Sequence, residues 1–222
     1  MPSQGSSSPL RRRSVFINCP FDSEYRPLFR AMCFAIVACG FVPRCALDES
    51  DSAVVRFEKI LDLITACEFS VHDVSRVELD SGSGLPRFNM PLELGADLGL
   101  RLKGPAAQRR RRILVLDAVA HRYDQTLSDI SGMDVEAHGN DPGRLIKAAR
   151  DWLNAGRGGG NPLPGSGAIA EDYAAFQLLV PDIIAELRLD GFDALSHVDY
   201  MHLVETALPQ IEAARGSGGR SI

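Results

Sequence analysis

The chain has 222 residues, 45% of them apolar and 24% charged, and a formal net charge of −5. That size and balance suit one globular domain with an appendage, and they give no bias toward nucleic acid or an anionic membrane. The cysteines at 19, 33, 39, 45 and 67 are odd in number and form no C-x-x-C pair, so neither a disulfide framework nor a zinc site follows from their spacing.

In chain order, "MPSQGSSSPL" (residues 1–10) is small and polar and reads as a disordered lead. "SVFINCPF" is a short β-rich run. Asn18, Pro20 and Asp22 cut it too short for a signal peptide. Tyr25, Leu28, Phe29, Met32, Cys33 and Ile36 repeat at helical spacing up to Gly40. "FVPRCAL" reads as a second strand, with Pro43 marking an edge position. Phe57, Ile60, Leu61 and Ile64 give a second helix, "FSVHDV" a third strand and residues 90–102 a third helix. "RRILVLDAVA" is a continuous apolar run, as expected of a strand covered on both faces. "MDVEAHG" reads as a short fifth strand. "NDPGRLIKAARDWL" then opens a helix with Asp141 as N-cap and Pro142 in its first turn. Trp152 lies on the apolar stripe of that helix and reads as core.

Strands alternating with amphipathic helices predict an α/β fold: an open, flavodoxin-like parallel sheet of about five strands with helices on both faces. The expected organisation is an α/β domain over 11–155, a Gly/Pro linker over 156–167, a helical appendage over 168–214 interrupted near Pro181 and Gly191, and a disordered tail over 215–222. The runs Arg11–Arg13 and Arg109–Arg112 each precede a β-like stretch and interleave no aromatic residues. They read as solvated strand entrances rather than a nucleic-acid patch. No stretch is long enough to span a bilayer. The expectation is a cytoplasmic protein without membrane or nucleic-acid partners.

Ligands of open parallel sheets bind outside the carboxyl ends of the strands. That rule selects Asn18, Cys19, Pro20, Phe21 and Asp22 after the first strand and Arg44 near the end of the second. It also selects His72, Asp73 and Ser75 at the third, and Asp117 at the fourth. The loop after the third strand leads through Arg87 and Asn89 to Glu93, read here as lying in the first turn of its helix with Asn89 as N-cap. A glutamate there either complements the helix dipole or does chemistry. Gly95 and Gly99 would let that helix approach its neighbours. His72 and Asp73 are adjacent on a strand and so point to opposite faces. Ser23, Ser75 and Ser131 lack a nucleophile-elbow context, and His197, Asp199 and His202 match no strong metal pattern.

"VFINCPFD", "VHDVS" and "NMPLELGADLG" together resemble the superfamily of nucleoside 2-deoxyribosyltransferases and Toll/interleukin-1 receptor (TIR) domains. The similarity covers residues 14 to about 154 and extends to bacterial TIR-like proteins that share "NCPFD" and "MPxELG". The resemblance implies cleavage of an N-glycosidic bond, with Glu93 as the key carboxylate. It also implies NAD as a substrate rather than a cofactor, no metal, and a role in prokaryotic defence or stress signalling. The implied active form is a homo-oligomer or a complex with a protein partner, assembled through the C-terminal helices. A nucleoside or nucleotide N-glycosyltransferase or hydrolase is the alternative, and there the departing base needs a proton from Asp73 or Asp22. A non-catalytic nucleotide-binding or self-associating module is the third reading. A receiver-like protein fits less well, because Asp22 stands alone after the first strand and the fifth carries no lysine.

Overall fold

The computed structural model describes residues 9–48, 51, 53–77 and 84–218; the expected lead and tail lie largely outside them. Five parallel strands form one sheet: β1 (Ser14–Asn18), β2 (Val42–Cys45), β3 (Phe69–Asp73), β4 (Arg112–Asp117) and β5 (Val135–Ala137), in the order β2-β1-β3-β4-β5. This is the open parallel sheet expected from the sequence, and its order is that of flavodoxin-like folds. β2 lies at an edge, where Pro43 removes no donor from a central ladder.

The period-two alternation of strand side chains feeds two layers. Val15, Ile17, Val71, Leu114 and Leu116 join the core under α2 (Arg26–Ala38) and α6 (Pro142–Gly156). On the other face, Phe16 packs with Ile60, Leu63 and Ile64 of α3 (Arg56–Ala66). Val115 packs there with Leu94 of α4 (Asn89–Lys103). Asp141 caps α6 as expected, its side chain accepting from the Arg144 amide at 2.8 Å.

A further layer lies outside α2 and α6. α7 (Ser166–Leu187) and α8 (His197–Gly218) add Phe176, Tyr200 and Leu203 to the main core against Phe34. Leu28 through Ile36 of α2 are consequently buried without a break, as for any helix covered on all sides. Arg30 is buried with them. Its guanidinium stacks 4.0 Å from the Phe192 ring, and the Tyr200 hydroxyl donates to its carbonyl at 2.8 Å. The segment expected as a linker is held as well, since Arg150 donates to the carbonyls of Leu163 and Pro164. All five cysteines are buried and free. Among the described residues, no helix is long and apolar enough to cross a membrane.

Several local expectations are corrected. A one-turn helix, α1 (Pro9–Arg13), precedes β1 and is closed by Ser14 Oγ donating to the Leu10 carbonyl. α7 runs through Pro181 without ending; Phe176, Val180 and Ile183 pack into the core on either side, and that burial outweighs the missing amide. Gly95 and Gly99 have no described neighbour within 4 Å of the point where a side chain would begin, so they bring no element close. Arg111, read as solvated, is 1% exposed.

Candidate active site

Asn18 and His72 are register partners at the carboxyl ends of β1 and β3. The sheet order reverses between these two strands, which makes their ends the ligand crevice of this topology. Asn18 Nδ2 lies 2.9 Å from His72 Nδ1 and also donates to the Met90 carbonyl at 2.9 Å. It therefore ties the first turn of α4 to the end of β1. His72 accepts at Nδ1 and donates from Nε2 to Asp97, 2.9 Å away. Asp97 also takes Ser70 Oγ and the Arg111 guanidinium. His72, Asp97 and Arg111 are all essentially buried. The chain from Arg111 to Asn18 is thus a closed polar brace beneath the crevice.

Glu93 lies on the same stripe of α4 as Met90, Leu94 and Asp97. The helix starts at Asn89 with Phe88 in the N-cap position, so Glu93 is its fifth residue rather than part of the first turn. Asn89 is exposed and does not cap. Dipole complementation therefore does not explain the carboxylate; burial singles it out. Glu93 is 9% exposed. Among the described residues no hydrogen bond or ion pair satisfies it. Burial pushes its carboxyl up to about 7, against a weaker downward pull from Arg56.

The other acids answer to different partners. Asp73 is fully buried and faces the α2–α6 side, where it accepts from Tyr25 Oη at 2.5 Å, the Ser75 amide at 2.9 Å and His138 Nε2 at 2.9 Å. Ser75 Oγ meets that same His138 nitrogen at 3.1 Å, while His138 Nδ1 accepts from the Asn140 amide. A nucleophilic relay needs serine and aspartate on opposite ring nitrogens, so this cluster is no serine triad. Asp22 pairs with Arg76 at 2.8 Å. Burial alone would raise its pKa, yet the Arg76 guanidinium and the Tyr25 amide hold it below the ordinary carboxylate value. Asp117 is fully buried on Arg122, which also donates to the Ser75 carbonyl at 2.6 Å.

These contacts divide the expected residues into three groups. Asn18, His72 and Glu93 gather with α4 on one face of the sheet. Asp22, Asp73 and Ser75 join Tyr25, Arg76 and His138 on the other, while Asp117, in phase with Val115 on β4, is linked to them through Arg122, which also donates to the Ser75 carbonyl. On that other face a cleft of about 410 Å³ is lined by Tyr25, Ser75, Arg76, Arg122 and Asn140. Pro20 is buried, and Phe21 packs edge-on against Phe29. Arg44 stands apart at the end of β2, on Asp48 at 2.8 Å. Sequence reasoning missed Asp97, Arg111 and His138. Asp97 carried one signal, being a carboxylate four residues beyond Glu93 on an otherwise apolar stripe.

No family model, curated protein or solved structure matches this chain.

Proposed function

We propose that the protein cleaves the N-glycosidic bond between nicotinamide and ribose in NAD, with Glu93 as the catalytic carboxylate. The observation that carries this reading is a buried, unpaired carboxyl whose pKa is raised to about 7, on the helix tied to the crevice by Asn18. As the bond to C1′ breaks, nicotinamide leaves with the bonding electron pair and its ring becomes neutral. The sugar carbon gains positive charge, and water adds there with release of a proton. An ionised Glu93 beside C1′ stabilises that charge far better in a water-poor crevice than it would in bulk solvent. The cationic pyridinium of bound NAD also favours the ionised form of Glu93.

The acids around the site favour this leaving group over a neutral nucleoside, which needs its base protonated. Asp73 is committed to three donors, and Asp22 is held ionised by Arg76. One remaining carboxyl cannot both donate that proton and meet the cation. Arg76 and Arg122 line the cleft on the other face of the sheet, where a pyrophosphate reaching across the strand ends would meet them. The five free cysteines fit a reducing cytoplasm. The resemblance adds a role in prokaryotic defence or stress signalling and an active form assembled through α7 and α8, on which Leu178 and Val198 are exposed.

The test is chromatography of the full chain incubated with NAD, at low and high protein concentration, and separately with purine and pyrimidine nucleosides. Nicotinamide and ADP-ribose from NAD are expected. Free base from the nucleosides alone would replace this reading with nucleoside chemistry, and no product from any of them would leave a binding module.

A further inference from the structure

The turn that ends β2 meets the start of α8 in a second polar cluster, away from Glu93. Asp48 Oδ1 lies 3.1 Å from His197 Nε2 and 3.6 Å from Cys45 Sγ. The three donor atoms all fall within 4.8 Å of one another, the only such grouping of His, Cys and acidic side chains among the described residues. We propose that Cys45, Asp48 and His197 bind a divalent cation of the zinc class, stapling the first turn of α8 to the end of edge strand β2.

The spacings suit the ion. A tetrahedral Zn²⁺ with ordinary bond lengths separates nitrogen from oxygen by about 3.3 Å and sulfur from oxygen by about 3.6 Å. The protein holds these pairs at 3.1 and 3.6 Å. The donors are also pre-positioned. The Asp48 amide donates to the Cys45 carbonyl, and the Cys45 amide donates back to Asp48 Oδ2, closing the turn from both sides. His197 opens α8 beside Ser196, whose Oγ accepts from the Asp199 amide as a helix cap.

The surroundings of the ligands fit as well. Arg44 donates to Asp48 Oδ2 at 2.8 Å, leaving Oδ1 for the metal in the manner of a hydrogen-bonded ligating carboxylate. His197 is 4% exposed in its side chain, and its Nδ1 is buried with no hydrogen-bond partner. No protein group therefore fixes the imidazole proton through Nδ1. When Nε2 takes the metal, that proton moves to Nδ1 and the Cys45 thiol releases its own to solvent. Three protein ligands leave the fourth position of a tetrahedral site to a water. Sulfur and imidazole together favour zinc over magnesium or calcium. The sequence concealed the site because Cys45 and Asp48 lie far along the chain from His197.

The full chain, purified without a polyhistidine tag and stripped with chelator, is titrated with Zn²⁺ alone and, in parallel, with Co²⁺. One Zn²⁺ per chain is expected. Cobalt should show thiolate-to-metal charge transfer together with the intense visible bands of a tetrahedral site. Cys45→Ser should abolish the charge-transfer band and Cys67→Ser should keep it. Asp48→Asn and His197→Gln should each weaken Zn²⁺ binding by at least about 100-fold, the upper end of the effect of outer-shell partners. Absence of Zn²⁺ binding, a cobalt spectrum without a thiolate band, or a band that survives Cys45→Ser would each overturn the assignment. The wild-type spectrum alone decides thiolate ligation should a variant fail to fold, and neither readout depends on activity toward NAD.

Discussion

Replacing Glu93 with glutamine should make the protein more stable while removing its proposed catalyst. The Glu93 carboxyl is raised from 4.5 to about 7 in the folded chain by burial. An acid with a raised folded-state pKa holds its proton in the native state at pH values where the unfolded chain has already lost it. Native stability therefore falls as pH rises between those two values and bears the full cost above the higher one. At 1.36 kcal/mol per pH unit the shift corresponds to a ceiling of about 3 kcal/mol. About 2 kcal/mol of this survives solvent screening at a site that is not wholly dry. Urea denaturation at pH 8 should show Glu93→Gln more stable than wild type by about that amount, and the gap should close near pH 4.5. Equal stability at pH 8, or a loss that does not vary with pH, would refute the claim that this carboxylate is ionised at a cost.

Arg111→Ala strands the Asp97 carboxylate in the interior, where Ser70 and His72 remain its only donors among the described residues; a loss of about 3–5 kcal/mol is expected in urea denaturation. The double variant Arg111→Met with Asp97→Asn should recover much of that loss. At Gly156, an added methyl would stand 2.6 Å from Phe69 Cε1 and 2.9 Å from Arg112 Cδ, so Gly156→Ala should cost about 1–3 kcal/mol through overpacking, read as a lowered melting temperature. Deleting residues 166–222 should leave an unfolded or aggregated chain by circular dichroism and size-exclusion chromatography, because Phe34 and the outer face of α2 lose their cover. A folded, monomeric 1–165 fragment would show that α7 and α8 are dispensable to the core.

The sheet was legible where one strand carried its own pattern. The apolar run ending at Asp117 announced a doubly covered strand, and Asp141–Pro142 announced a helix start. Strand and helix alternation then placed Asn18, Asp73 and Glu93 at one rim. What was not legible depended on register. Ser70 opposite Ile113, and Phe69 opposite Arg112, bring Arg111 beneath β3 and over to Asp97 of α4. A run of four arginines gives no sign that its third member turns inward while its neighbours stay in water. The pleat does send adjacent His72 and Asp73 to opposite faces, as strand alternation predicts, but their partners Asp97 and His138 lie too far along the chain to be read from it. The α4 boundary puts Glu93 beyond the first helical turn, and only burial, which is a tertiary property, gives that carboxyl its unusual pKa.

The central claim is most directly tested by kcat/KM for nicotinamide release from NAD as a function of pH, for wild type beside Glu93→Gln. An ascending limb with an apparent pKa of about 7 in the wild-type profile, and no measurable turnover in a folded Glu93→Gln protein, is the expected result. Turnover by Glu93→Gln at the wild-type rate would contradict the assignment of this carboxylate as the group that cleaves the bond.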